Sequence, residues 1–284
     1  MPRAYVTPKG INLQYEKVIG SGQFGTAVAV RNRKGDTFCL KEVRVSTSDE
    51  TAKALVVQEV ETMKSICRAH PNIVLFHESW FERNRMCILM EYCSNGSLDT
   101  VVQKFATEKR RFTTEKITYY LQELASALDY CHNTARVVHR DLKPANILID
   151  QLGTIKLADF GLSKVLGPEH KYCKTHVGTP LYMDPEQIRG DPYTQAADMW
   201  ALGVVAYELM ALRSPWRLPG ERDPTYIMLA TRINKASPEY ARLEQLYSPH
   251  LIATTKWMIQ TKPHKRATAR QIVDFLSLRA PPCN

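Results

Sequence analysis

His139-Arg140-Asp141-Leu142-Lys143-Pro144-Ala145-Asn146, followed one short hairpin later by Asp159-Phe160-Gly161, is the stretch on which the reading of this chain turns. Between the two motifs, Ile147-Leu148-Ile149 and Thr154-Ile155-Lys156-Leu157 read as short strands. Asp150-Gln151-Leu152-Gly153 supplies the polar and glycine residues of the turn that joins them. A hairpin returns its second strand to where the first began, so Asp141, Asn146 and Asp159 are expected to converge at one end of it. An Asn and two Asp offer hard oxygen ligands for Mg²⁺, with one carboxylate left over to orient a hydroxyl, and Lys143 adds a positive charge for a phosphate. Phosphoryl transfer asks for that inventory, because its catalysis is mostly positioning and neutralisation of charge.

Working outward, the 284 residues allow about two domains, and 44% hydrophobic with 24% charged residues describe a soluble, globular chain. The net charge of +9 raises the question of a nucleic-acid partner. The positive residues are scattered, however, and the densest run, Lys109-Arg110-Arg111, is short with only Phe112 beside it. Phosphate-tracking surfaces need several co-located charges, so this run reads as a solvated basic loop, and nucleic acid is not the expected partner. Seven cysteines without a CxxC pair argue against a disulfide framework and a zinc site, and for a reducing compartment. No secretory h-region stands in Met1 to Gly10, and Met199 to Leu212 is too short to span a bilayer and carries Glu208. An intracellular, cytoplasmic protein without a transmembrane segment is expected.

Up to about residue 90 the pattern is strand-rich: Tyr15 to Ile19, Ala27 to Arg31, Thr37 to Val43, Ile73 to Trp80 and Met86 to Glu91. One helix begins near Asp49, with an apolar stripe at Val56, Val60, Met63 and Cys67. Glu59 sits on the edge of that stripe. Past Cys93-Ser94-Asn95-Gly96 the pattern changes to long helices, one marked by Ile117, Leu121, Leu124 and Leu128, another apolar on nearly all sides from Asp198 to Leu212. A small strand-rich lobe and a larger helical lobe therefore meet near Glu91 to Gly96, with a ligand expected in the cleft between them. Gly20-Ser21-Gly22-Gln23-Phe24-Gly25 lies between two strands. A Rossmann dinucleotide site needs a helix directly after its glycines, and here Ala27-Val28-Ala29-Val30 follows as a strand. Glycines in a hairpin suit a flap whose backbone N–H groups approach the phosphates of ATP. Lys41 on the next strand can reach the α- and β-phosphates, and a lysine in an apolar strand needs a partner, for which Glu59 is the candidate.

The two opening motifs closely resemble the catalytic loop and the metal-binding motif of protein kinases. The resemblance extends over nearly the whole chain, through the Gly-rich loop, Lys41 and Glu59 to Asp184-Pro185-Glu186, Asp198-x-Trp200-x-x-Gly203 and Arg266. It implies an α+β, two-lobed kinase fold: one domain over 1–284, with the N-lobe at about 10–92, the hinge at about 91–96 and the C-lobe at about 97–280. It implies that Asp141 orients the acceptor hydroxyl with Lys143 beside it, that Lys41 and Glu59 pair, and that Asn146 and Asp159 hold Mg²⁺. ATP would lie against Ile19, Gly20, Ser21, Gly22, Gln23, Phe24, Gly25, Thr26, Ala27, Cys39, Lys41 and Leu148. Met90 would be the gatekeeper, with Glu91 and Cys93 giving backbone bonds to adenine. Asp198 would hold the backbone of the catalytic loop, and Glu186 would pair with Arg266 to brace the helical lobe.

HRDLKPAN with Lys143, together with Gly178-Thr179-Pro180, resembles serine/threonine kinases, Thr179 being able to bridge Lys143 and Asp141. His77-Glu78-Ser79-Trp80-Phe81, Met90-Glu91-Tyr92-Cys93 and Lys174-Thr175-x-Val177-Gly178-Thr179-Pro180 resemble the NIMA-related kinases. That resemblance implies Ser/Thr protein substrates, a cytoskeletal or nuclear address among the intracellular ones, and activation by an upstream kinase or by self-phosphorylation in trans. Thr175 is the expected phosphosite: Arg140 can hold its phosphate and Lys171 and Lys174 add charge, with Tyr172 and Ser163 as competing hydroxyls. Three positions depart from the family pattern, Ala27 for Val, Cys39 for Ala and Asp184 for the Ala of the APE motif; none removes a catalytic group. Cys39 reads as an inert apolar filler. The rival reading, a pseudokinase scaffold, would be favoured by loss of Lys41, Asp141 or Asp159, and all are present. The last expected helix ends near Leu278; a chain complete at that point would recruit partners through the kinase surface itself.

Overall fold

The computed structural model describes residues 4–22, 25–45, 50–66, 70–82, 84–166, 172, 173, 175, 177–218, 220, 221, 224–235 and 237–277. The chain divides into two compact units, Met1–Asn95 with Ile149–Thr154, and Gly96–Leu148 with Ile155–Asn284.

The first unit is an antiparallel sheet with one helix. Its elements are β1 (Ala4–Val6), β2 (Asn12–Gly22), β3 (Gly25–Asn32), β4 (Thr37–Arg44), α1 (Glu50–Ile66), β5 (Phe76–Glu82) and β6 (Arg85–Glu91). The strand order is β1-β2-β3-β4-β6-β5. Val28 and Val30 on β3 and Leu40 on β4 turn the same way as Tyr5, Leu13, Cys87 and Leu89, and these side chains form one buried cluster. Strand alternation explains it, since residues two apart share a face. β1 escaped the sequence reading because three residues carry too little alternation to register; Tyr5 nonetheless completes the core. In α1, Val60, Met63 and Ile66 are buried and Glu61 is exposed, a stripe three to four residues in period.

The second unit contains α2 (Leu98–Thr107), α3 (Thr114–Asp129), β7 (Val137–Val138), the first two residues of β8 (Ile147–Ile149), β9 (Ile155–Leu157) and β10 (Lys164–Val165). After these come α4 (Pro185–Arg189), α5 (Ala196–Ala211), α6 (Tyr226–Lys235), α7 (Ala241–Glu244), α8 (Pro249–Met258) and α9 (Ala269–Ser277). Ser97 and Thr113 cap α2 and α3, each accepting a backbone N–H of the first turn with its hydroxyl. Ile117, Leu121, Leu124 and Leu128 of α3 are fully buried. The helix then widens into a π-helical turn, Tyr130–Thr134. α5 is buried on nearly every side and packs against α8. A Cβ on Gly203 would stand 2.7 Å from Ile259 Cγ1 and 2.9 Å from Met258 Cβ, so glycine is what allows that approach.

The turn between β8 and β9 is closed by Asp150: its N–H donates to Thr154 O at 3.0 Å, and its Oδ1 accepts the N–H groups of Leu152 and Thr154. Gln23, Phe24, Asp49, Cys67, Lys171, Lys174 and the side chain of Glu59, named in the sequence reading, lie outside the described residues.

Candidate active site

The loop between β7 and β8 is suspended from α5. Asp198, in the first turn of that helix and 1% exposed, accepts the backbone N–H groups of His139 (Oδ2, 2.9 Å) and Arg140 (Oδ1, 2.9 Å). His132, from the π-helical turn, places Nε2 at 2.8 Å from Oδ2. Burial by itself would raise the Asp198 carboxyl; the His132 ring and the Arg140 N–H outweigh it and hold the group below its ordinary value. No sequence spacing announced His132, because its partner lies 66 residues away. With both N–H groups drawn toward Asp198, Arg140 adopts a positive φ of 70°, a region non-glycine residues enter at a cost. Asp159 does the same at 60°.

Four side chains close around Asp141, which is 8% exposed. Lys143 Nζ donates to its Oδ2 at 2.7 Å and to Thr179 Oγ1 at 2.7 Å. Thr179 donates in turn to Asp141 Oδ1 at 2.9 Å, and Asn146 Nδ2 donates to Asp141 Oδ2 at 2.9 Å and to its carbonyl at 2.8 Å. His139 sets the backbone beneath: the Asp141 N–H points to Nδ1 at 3.3 Å, and Nε2 lies 3.0 Å from Ala158 O. A donor facing Nδ1 and a carbonyl facing Nε2 select the Nε2–H tautomer. The same ring meets Phe160 edge-on at 4.9 Å. Ala158 donates its N–H to Asn146 O at 2.9 Å, so the residue preceding Asp159 is tied to Asn146.

Arg140 turns the other way, toward the segment between Asp159 and Glu186. Its Nη1 donates to Thr175 Oγ1 at 2.8 Å, its Nε to Leu162 O, and its Nη2 to Ser163 O at 3.3 Å. Thr175 is exposed, and its carbonyl accepts from Tyr193 Oη at 3.1 Å. Ser163 donates its hydroxyl to Phe160 O, while Tyr172 is exposed. Gly178 passes close over the loop: with φ at 116°, a Cβ there would sit 2.6 Å from Arg140 O.

At the foot of that segment, Asp184 caps α4, its side chain accepting the N–H of Gln187 in a capping box. It also pairs with Arg266 at 2.6 Å, alongside Glu186 at 2.5 Å. The departure from the family pattern thus adds a second carboxylate to the brace. Burial and the neighbouring Glu186 push Asp184 up to about 7, whereas Glu186, for which burial is outweighed by its bonds to Asp184 and Arg266, is held below its ordinary value.

The residues named for the nucleotide divide between the units. Leu148, half-buried, belongs to the second; Ile19, Gly20, Ser21, Gly22, Gly25, Thr26, Ala27, Cys39, Lys41, Met90, Glu91 and Cys93 belong to the first. There, Ala27 pairs with Lys41 across β3 and β4, and Cys39 with Met90 across β4 and β6. Burial pushes the Cys39 thiol up to about 11 although Lys41 opposes it, which fits an apolar filler and not a nucleophile. Glu91 donates its N–H to Leu75 O at 2.9 Å and accepts the Leu75 N–H with Oε1 at 2.7 Å. Gly25 is glycine for a reason internal to the sheet, since its Cβ would fall 2.0 Å from Glu42 O; at Gly20 nothing stands within 4 Å of that position. Open space over Gly20 is what a close-lying ligand requires. Among the described residues no group of three or more His, Cys, Asp or Glu forms a metal cluster. Among the same residues no helix is long and apolar enough to cross a membrane, and no cysteine is in a disulfide.

Comparison with known proteins adds a family. The model of the protein kinase domain matches residues 13–275. The chain is 32% identical over 263 residues to the serine/threonine-protein kinase Nek2 of Homo sapiens, covering 90% of this chain and 57% of that protein. It is 32% identical over 269 residues to the probable serine/threonine-protein kinase nek2 of Dictyostelium discoideum, covering 92% and 62%. The human NUAK family SNF1-like kinase 2 is 31% identical over 261 residues, covering 91% of this chain and 39% of its own. The chain therefore spans less than two thirds of the length of these relatives.

Proposed function

This chain belongs to the protein kinase family, and from that premise we propose that it transfers the γ-phosphate of Mg-ATP to Ser and Thr hydroxyls of protein substrates. The observation that carries the proposal is the ring around Asp141. An ionised carboxylate offers about four acceptor sites. Lys143 and Asn146 occupy Oδ2 and Thr179 occupies one side of Oδ1, which leaves one direction on Oδ1 for an incoming hydroxyl. Asp141 orients that hydroxyl and accepts its proton. Lys143, held between Asp141 and Thr179, presents its charge where the transferred phosphoryl gains negative charge. With its amide nitrogen turned to Asp141, Asn146 has its carbonyl oxygen left for a cation, and Asp159 supplies the carboxylate. Asn146 and Asp159 would hold Mg²⁺, which would supply positive charge against the phosphates.

Lys41 is assigned to the α- and β-phosphates with Glu59 as its partner, and the glycines from Gly20 to Gly25 to the flap above them. Ile19, Ala27, Cys39, Met90 and Leu148 are assigned to the adenine, with the Glu91 carbonyl and the Cys93 backbone as its polar contacts, the Glu91 N–H being committed to Leu75. Residues 1–284 are read as one kinase domain. Thr175 is the activating phosphosite, modified by an upstream kinase or in trans by a second copy: its hydroxyl already rests on Arg140. An intracellular, cytoplasmic protein is proposed on the seven cysteines and the lack of disulfides among the described residues. The test is Mg-ATP-dependent phosphorylation of a generic basic protein, with phosphoserine and phosphothreonine as expected products and Asp141→Asn as control. Transfer to tyrosine alone, or equal turnover by the control, would remove the reading.

A further inference from the structure

The basic run Lys109-Arg110-Arg111 is not isolated in space. It lies on one wall of a depression of about 470 Å³ in the second unit, between the loop after α2, the end of α5 and α7, which adds Arg213 and Arg242. Among the described residues, five cations thus face a single carboxylate, Glu239. Arg110 is paired with Glu108 and lies over Phe105, but Lys109, Arg111, Arg213 and Arg242 make no ion pair among the described residues. All four are exposed, whereas Leu243 on the floor is buried. Unpaired cations around an apolar floor are complementary to a peptide that carries several carboxylates and at least one apolar side chain.

We propose that this depression docks an acidic segment of the protein substrates, which rests on the kinase reading only for the word substrate. A nucleic-acid backbone fits less well, since the aromatic ring lining the pocket, Tyr207, is 2% exposed, bonded through its hydroxyl to Glu239 O, and offers no open face for a base. The surface is distinct from the Asp141 ring. Asp198 holds that ring from one end of α5 and Met210 lines the depression at the other, about 18 Å apart at 1.5 Å per residue. An extended peptide covers roughly 3.3 Å per residue, so the acidic segment would stand at least about six residues from the phosphorylated one. Tethering of this kind raises the local concentration of the acceptor without touching the chemistry.

The experiment measures fluorescence polarisation of a labelled peptide alternating Glu and Leu against the whole chain without nucleotide, so it is readable even if no phosphoryl transfer occurs. Binding is expected to weaken as salt rises. It should weaken at least about tenfold in Arg213→Glu/Arg242→Glu but not in Arg33→Glu/Lys34→Glu, which changes net charge equally on the other unit. A second arm joins the same peptide to a Ser-containing substrate through a flexible linker: KM should fall severalfold in the parent chain, kcat should stay, and the double variant should lose the gain while phosphorylating the untethered substrate normally. Equal binding by parent and double variant, no binding by the parent, displacement by single-stranded DNA in preference to the acidic peptide, or a KM indifferent to the tether would each overturn the proposal.

Discussion

Asp141 and Asp159 are both carboxylates of one loop system, yet their surroundings separate their expected behaviour. Asp141 is bonded on both oxygens by Lys143, Asn146 and Thr179. Asp141→Asn keeps the shape and should lower kcat by about 10²–10⁴-fold with little change in nucleotide affinity. Asp159→Ala should weaken Mg-ATP in equilibrium binding. A common loss of nucleotide affinity in both variants would merge the two roles and count against the assignment. For Thr175, phosphate adds about −1.5 to −2 of charge on a hydroxyl whose oxygen already lies 2.8 Å from a guanidinium nitrogen of Arg140. Mass spectrometry of active enzyme should find it modified, and Thr175→Ala should cut activity; unmodified, fully active protein would strike out the switch. Lys41 and Glu59 should couple strongly in a double-mutant cycle on kcat/KM, and simple additivity would dissolve the pair. At this scale the sequence was legible where neighbours in space are neighbours in a motif, as for Asp141, Lys143 and Asn146. It was silent on His132, whose partner comes from a different helix, and on the positive φ of Arg140, which follows from two hydrogen bonds to a residue 58 positions away.

Among the elements, α4 shows how one departure from a familiar motif alters a whole brace. Asp184 caps the helix and shares Arg266 with Glu186, so two buried carboxylates face one guanidinium. Its folded value, near 7, lies above the value of about 3.9 for an unfolded aspartate, so its favourable contribution is present at low pH and is lost as pH rises through 7. Glu186 runs oppositely: it is held low when folded, and its contribution is lost only as pH falls below the ordinary glutamate range. Asp184→Asn keeps a capping oxygen without the titration. Denaturant unfolding at pH 5.5, 7 and 8.5 should therefore find the variant gaining on the parent chain as pH rises. A difference independent of pH would mean that Asp184 stays ionised throughout. Element type was readable where an apolar pattern was long, periodic in α3 and nearly unbroken in α5. It failed for β1, and β5 begins at Phe76 and not at Ile73, because Ile73 and Val74 are buried in the stretch between the turn at Pro71-Asn72 and the strand, where apolar content resembles a strand.

On the scale of the molecule, the change from strand-rich to helical pattern near Glu91 to Gly96 corresponds to the division between the two compact units after Asn95. What composition alone concealed was the clustering of charge, since Arg213 and Arg242 join Lys109-Arg110-Arg111 only through the folding of α5 and α7. The hold of Asp198 on the loop has a further consequence. The amides of His139 and Arg140 are bound by a carboxylate rooted in the most deeply buried helix of its unit. Their solvent exchange should demand opening of that unit as a whole, and native-state hydrogen exchange should place them in the slowest class. Fast exchange at both amides in an otherwise protected unit would show the anchor to be weak. On heating, the loop that carries Asp141 and the helical unit that anchors it should therefore be lost at one temperature, with no window in which that unit stays folded around a melted loop.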